Sequence, residues 1–254
     1  MARRGRRAPA ARRLRLAVVH PTDERIAVSD APDDAQPRPR NRLLRDAPAD
    51  EYARIRPYLE PVAVAPLQPL AKIGEPVPHV YFPETAVVSL LTRAADGTPV
   101  EIGTIGCEGM SGIPLVLGVE WTPALVLGEV AGLSWRMDAA AFRRLLPSLP
   151  ALEAGARRHV LYFLAQVSQS LACNSLHPIR QRCARWLLMT HDRVGRDGFE
   201  LTHEVLAQML AVRRAGVSGA ANALRRRGLI EYTRGRVTVT DRAGLEAAAC
   251  ECYG

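Results

Sequence analysis

Apolar residues first organise at Leu43, Leu44, Tyr52, Ile55 and Leu59, whose spacing predicts helix where order begins, near Asn41. From about Val62 the period drops to two. Residues 79–83, 86–92 and 100–105 are short runs rich in β-branched and aromatic side chains, and Asp96-Gly97 between the last two is a hairpin signal. Glycines at 103, 106, 109, 112 and 118 punctuate the next stretch. Over residues 124–137 the alternation places Leu125, Leu127, Ala131, Leu133, Trp135 and Met137 on one strand face. Many short strands with glycine corners predict an antiparallel β-roll or small barrel.

After Met137 the period becomes helical. Asp138 can N-cap a helix over 139–146, which Pro147 and Pro150 end. In a longer stretch, 151–173, Leu152, Ala156, Val160, Phe163, Val167 and Ser170 stand near heptad spacing. That stripe fits a dimerisation helix packed on a second copy, and equally a helix packed on its own β-domain. Residues 174–178 form a break and hinge, and Pro178 suits the first turn of a helix over 179–191.

The last quarter carries the sharpest pattern. Thr202 can N-cap a helix over 203–210 whose inward stripe is Val205, Leu206, Met209 and Leu210; Val205 stands where a capping box would need a glutamate. Ala211-Val212-Arg213 is a turn, and a second helix over 214–227 turns Val217, Ala220, Ala221 and Leu224 inward. Two short helices joined this way form a helix-turn-helix, whose second helix enters the major groove. The strand signals on either side of Arg234-Gly235-Arg236 add a hairpin wing with a basic tip. The chain is therefore read as an α+β protein: a disordered basic arm at 1–40, a β-roll sensor domain at 41–147, a long dimerisation helix at 148–175 and a winged helix-turn-helix at 176–254.

Charge sharpens this picture. The chain has 254 residues and a net charge of +8, distributed unevenly. Residues 178–242 hold thirteen arginines against six acidic residues and residues 1–45 twelve against five, whereas 46–177 is mildly acidic. Basic segments flanking an acidic middle suit a nucleic-acid binder with a separate sensing domain. Arg213, Arg214, Ser218 and Gly219 face outward at the start of the second helix. Arg214 is the leading candidate for a bidentate contact to guanine, and Arg234 and Arg236 for contacts to phosphate.

Other chemistry is sparse. Cys107, Cys173, Cys183, Cys250 and Cys252 are odd in number and scattered, so no disulfide framework is predicted. Cys250-Glu251-Cys252 is read as a tail with two reduced thiols, lacking a second cysteine or histidine pair to complete a metal site; no cofactor and no metal are expected. No phosphate-binding glycine loop, His-Glu-x-x-His or Gly-x-Ser-x-Gly is present, so an enzyme is not expected. Neither a bilayer-length apolar run nor a secretory signal is seen, so a cytoplasmic location is expected.

The order β-roll, long helix, hinge and winged helix-turn-helix resembles the Crp/Fnr regulator family over about residues 41–241. The segments Val80-Tyr-Phe-Pro-Glu-Thr-Ala-Val-Val-Ser89, Gly106-Cys-Glu-Gly-Met110 and residues 201–230 carry the likeness. The resemblance implies a β-roll of the cupin-like, cyclic-nucleotide-binding-domain type and a homodimer reading a palindromic operator in double-stranded DNA, with RNA polymerase as a candidate further partner. It places Thr202 and His203 at positions that contact backbone or base, and Arg214 on a common base-reading arginine. Members that bind cyclic nucleotides carry Gly-Glu and an arginine ten residues after that glutamate. Here Gly112 is kept, but Ile113 and Pro123 occupy the other two positions, leaving a cyclic phosphate without a counter-charge. The family's iron–sulfur branch uses an N-terminal cysteine cluster, and no cysteine precedes Cys107; His79 and His159 are lone histidines for haem. A specific DNA-binding regulator working without cyclic nucleotide is the reading; the alternative is a cyclic-nucleotide sensor module whose DNA binding depends on an effector.

Overall fold

The computed structural model describes residues 38–253 apart from 96 and 98. The arm expected at 1–40 thus lies outside the described residues up to residue 37, as does Asp96 of the hairpin signal. From Arg38 on the chain is anchored. The Arg38 guanidinium lies over the Tyr52 ring at 4.2 Å and donates to the Ala47 carbonyl at 3.1 Å. The Arg40 amide donates to Glu84 at 2.8 Å. Two short helices follow, α1 (Arg42–Arg45) and α2 (Ala49–Ile55).

The β-roll is built from β1 (Glu60–Val64), β2 (Pro69–Ala71), β3 (His79–Pro83), β4 (Val87–Arg93), β5 (Pro99–Ile105), a short helix α3 (Ile113–Val116), β6 (Leu125–Val130) and β7 (Gly132–Asp138). These strands form two antiparallel sheets, in the orders β1-β7-β3 and β2-β6-β4-β5. The reading of 124–137 as one strand face is corrected here. The chain turns at Ala131 and passes from one sheet to the other, and Leu133 is exposed while Val126, Leu127 and Val130 are buried. In β6, Val126 belongs to the core inside the roll and Leu127 to a core outside it. A strand covered on both faces has no reason to alternate.

Asp138 caps α4 (Ala139–Leu145) by accepting from the Ala141 amide at 2.9 Å, as expected. The long helix, α5 (Pro150–Leu176), runs 27 residues and ends at His177, so only His177-Pro178 of the expected break is non-helical. Its stripe of Leu152, Ala156, Val160 and Phe163 is buried, and Leu152, Ala156 and Phe163 pack into the cores of the chain's own β-roll. A second stripe, Leu161, Leu164 and Leu171, stands 69%, 57% and 70% exposed.

The C-terminal domain comprises α6 (Ile179–Val194), β8 (Gly198–Glu200), α7 (His203–Met209), α8 (Arg214–Arg226), β9 (Ile230–Thr233), β10 (Arg236–Val239) and α9 (Arg242–Ala248), with a sheet in the order β8-β10-β9. Its core of Trp186, Leu187, Phe199, Leu206, Met209, Val217 and Leu224 is continuous with Val87, Leu91, Leu127 and Val130 on the outer face of β4 and β6. Burying each such large side chain contributes about 1.5–3 kcal/mol, so the two domains are held by the same apolar effect that holds each one together.

This seam also encloses charge. Arg193 of α6, 5% exposed, donates from Nε to Glu108 at 2.8 Å. Gly106 lets it approach; a Cβ there would lie 2.5 Å from Arg193 Cγ. Glu101 of β5 accepts from the Ser89 hydroxyl at 2.8 Å and from Trp186 Nε1 at 3.2 Å. Glu129 of β6 is 3% exposed and neither of its carboxyl oxygens has a hydrogen-bond partner among the described residues.

Candidate nucleic-acid interface

Thr202 begins the helix-turn-helix. Its hydroxyl accepts from the Val205 amide at 3.1 Å, satisfying one of the free amides at the start of α7. Between α7 and α8 the chain reverses through Ala211, which adopts the left-handed conformation with φ 51°. The Val212 amide then donates to the Ala207 carbonyl at 3.0 Å and its side chain packs on the domain core. Arg213 is the N-cap residue of α8, and its side chain makes no capping bond. The apolar face of α8 is Val217, Ala220, Ala221 and Leu224, all buried, as the spacing predicted.

Its other face is open. Arg213, Arg214, Ala215 and Gly219 are exposed at the first turns, and a Cβ added at Gly216 or Gly219 would meet nothing within 4 Å. Ser218 and His203 behave differently. The Ser218 hydroxyl and His203 Nδ1 are 3.1 Å apart, and the His203 ring lies 4.3 Å from that of Tyr232 on β9. These contacts brace both helices against the wing. Burial, assisted by nearby Arg214, lowers the His203 pKa, so the ring is neutral near pH 7.

The wing is a two-residue hairpin. Thr233 pairs with Arg236, and both residues between them have positive φ, 50° at Arg234 and 78° at Gly235. That is the type I′ geometry that matches strand twist. The Gly235 carbonyl accepts from the Leu201 amide at 2.7 Å, which sets the wing tip beside Thr202. Arg234 and Arg236 are exposed; one Arg236 nitrogen also donates to the Gly198 carbonyl at 3.3 Å. Thr202, the basic start of α8 and the wing tip are thus brought together by the His203–Ser218 and His203–Tyr232 contacts, although they are spread over 35 residues. Across a groove from the wing stand Pro66, Leu67 and Glu129 of the β-roll.

The fold is similar to a CRP-family transcriptional regulator from Thermus thermophilus, with a TM-score of 0.60 at 22% identity, covering 74% of this chain and 96% of that one. It is similar to a Crp/Fnr-family regulator from Eubacterium rectale, with a TM-score of 0.60 at 14% identity over 81% and 96%. The global regulator CLP of Xanthomonas campestris gives 0.59 at 13% identity over 76% and 99%. At such identities the likeness establishes the fold. No curated protein matches the sequence. Residues 181–248, however, match the Crp-like helix-turn-helix domain family. Residues 181–248 are thus a Crp-like helix-turn-helix domain, carried on a chain with the fold of Crp/Fnr-type regulators.

The β-roll holds little free space around Gly112 and Ile113. Leu70, Val77, Tyr81, Ile113, Pro114 and Val126 are among the side chains around a void of about 10 Å³, room for about one water. Ile113 starts α3 after Gly112 at φ 80° and packs on the apolar core inside the roll. Of the lone histidines, His79 sits edge-on to Tyr81. His159 is buried with Nε2 3.1 Å from the Met110 carbonyl, and burial lowers its pKa.

The reading of Cys250 and Cys252 as a free tail is corrected. Both are buried and cluster with Cys173 at the end of α5. Their sequence signal was a second pair, Cys173 and His177, one helical turn apart. The pair shares one helix face because α5 continues past Cys173 to Leu176, beyond the break expected at 174. No helix among the described residues is long and apolar enough to cross a membrane.

Proposed function

We propose that the regulator binds a palindromic operator as a homodimer, with α8 of each copy in one of two successive major grooves, and does so without a cyclic nucleotide. The observation that carries this reading is the convergence of the exposed start of α8 (Arg213 and Arg214) with Thr202 and the Arg234–Arg236 wing tip on one surface. Arg214 reads a base edge, while Thr202, Arg213, Arg234 and Arg236 contact phosphates and set the register. Gly219 lets backbone and base edges approach, and Ser218 and His203 contact DNA at the edge of this surface while holding α7 to α8. No residue is assigned a catalytic role. The proposed site of action is the cytoplasm, where DNA and RNA polymerase, the candidate further partner, are found.

The second copy is proposed to dock along Leu161, Leu164 and Leu171. Their exposure and their spacing of three and seven residues match a coiled-coil seam. The filled cassette, with no arginine among its lining side chains, supports independence from cyclic nucleotides. The similar regulator CLP is described as responsive to c-di-GMP, so effector dependence is the alternative that the test must address. Selection of bound sequences from a random DNA pool, with purified full chain at stated salt, is expected to return a palindrome with half-sites about one helical turn apart. Cyclic AMP or c-di-GMP is expected to leave the binding curve unchanged. Binding that is weak, motif-free and strongly salt-dependent without effector, and specific with one, would overturn the effector-independent reading.

A further inference from the structure

Four side chains with metal-binding chemistry meet where the long helix ends and the C-terminal domain begins. Cys173 lies in the last turn of α5, and His177 follows one turn later on the same face. Cys250 and Cys252, one residue apart in the segment after α9, turn both thiols toward them. Cys173 Sγ is 3.5 Å from Cys250 Sγ, and Cys252 Sγ is 3.6 Å from His177 Nδ1. All four ligand atoms lie within 4.8 Å of one another, and the three cysteines are no more than 8% exposed.

These distances match one ion rather than a bond or a larger centre. Zinc–sulfur and zinc–nitrogen distances of about 2.3 and 2.0–2.1 Å place neighbouring ligands of a tetrahedron about 3.6–3.8 Å apart. The sulfur–sulfur contact is far longer than a disulfide's, about 2.05 Å. Three sulfurs and an imidazole nitrogen select soft or borderline cations and disfavour magnesium and calcium. The surroundings fit as well. His177 Nε2 is 3.0 Å from the Glu251 carboxylate, an outer partner that keeps the proton on Nε2 and leaves Nδ1 bare toward the sulfurs. Three thiolates and a neutral imidazole around a dication sum to one negative charge. Buried Arg185, whose Nε donates to the Cys252 carbonyl at 3.0 Å, supplies the opposite charge.

We propose that Cys173, His177, Cys250 and Cys252 bind a single zinc-class divalent cation in tetrahedral geometry, through three sulfurs and one nitrogen, fastening the C-terminal segment to the end of α5 across the His177-Pro178 hinge. Binding displaces three thiol protons and none from the neutral imidazole. The ion thereby ties the end of the DNA-binding domain to the helix that carries the proposed dimer seam.

The test uses the full chain, stripped of metal and kept reduced without oxygen, titrated with zinc against a chromophoric chelator and separately with cobalt(II). The expected result is one zinc per chain and a tetrahedral cobalt spectrum with sulfur charge-transfer bands. The Cys250→Ser/Cys252→Ser double variant should weaken zinc binding at least about 1000-fold. Glu251→Gln, which keeps every ligand, should weaken it by about 10- to 100-fold. Cys252→His should retain zinc with an altered cobalt spectrum, and Cys107→Ser should behave as the parent; circular dichroism reports whether each variant is folded. Failure of the reduced parent to retain zinc with all five thiols free would overturn the proposal. So would equal zinc binding by the folded double variant, or a Cys173–Cys250 disulfide that forms on exposure to air in a chain that takes up no metal when reduced.

Discussion

Replacing Glu129 with glutamine probes the charge cluster at the seam between the β-roll and the DNA-binding domain. Among the described residues, the Arg193 charge acts on all of Glu108, Glu129 and Glu101, His159 also faces Glu108, and Ser89, Trp186 and Thr190 are neutral polar neighbours. Burial opposes the Glu108 charge, but Arg193 and the backbone amides outweigh it and hold its pKa below the ordinary value. The remaining two carboxyls exceed the available charge. Burial raises Glu101 from 4.5 to about 7 against its hydrogen bonds, and burial together with the Glu101 charge raises Glu129 well above its ordinary value. Such a pair holds a proton near neutrality. Both pKa values are raised, so the associated stability is fully present below about pH 4.5 and is lost as pH rises through the raised values, about 7 for Glu101. At about 1.4 kcal/mol per pKa unit, the Glu101 shift corresponds to about 3 kcal/mol, an upper bound because part of Glu101 reaches solvent. Glutamine keeps the shape of Glu129, removes one charge and can donate to Glu101. Urea unfolding between pH 5 and 8.5, followed by tryptophan fluorescence, should find parent and Glu129→Gln within about 1 kcal/mol at pH 5. At pH 8.5 the variant should be more stable by about 1–3 kcal/mol. Groups that do not interact with Glu129 are common to both proteins and cancel in the difference. Parallel curves for the two proteins across this range would refute the reasoning.

Three further outcomes test other parts of the structure. Arg214→Ala should cost about 1–3 kcal/mol at the selected operator and relax preference at one base pair, whereas Arg234→Ala should weaken all sequences alike and reduce the salt slope by about one; titrations at several salt concentrations separate the two. Ala211→Gly should raise stability by about 0.5–1 kcal/mol, because a non-glycine residue at φ 51° bears the left-handed penalty; a fall in the unfolding midpoint would contradict that account. Leu164→Glu should convert a dimer to a monomer in analytical ultracentrifugation while leaving the circular dichroism spectrum intact, and an unchanged mass would place the seam elsewhere.

Local rules sufficed where a segment's structure depends on its own residues. Thr202 and Asp138 cap the helices they precede, the Val217–Leu224 stripe faces inward, and Arg234-Gly235 makes the hairpin that its glycine favours. The order of elements, and with it the Crp-like domain, follows from such periodicities and caps, since helix and strand periods depend on backbone geometry alone. Tertiary structure decided what touches what. Periodicity identified one apolar stripe on α5 and left its partner open; only the fold shows that Leu152, Ala156 and Phe163 meet the chain's own β-roll, leaving Leu161, Leu164 and Leu171 uncovered. The β6–β7 corner was missed because both faces of β6 are covered, which erases alternation. The Glu101–Glu129–Arg193 cluster, and the meeting of Cys173 and His177 with Cys250 and Cys252, join residues 28 to 92 positions apart in sequence. Interactions at that separation depend on how whole domains pack, and no local pattern encodes them.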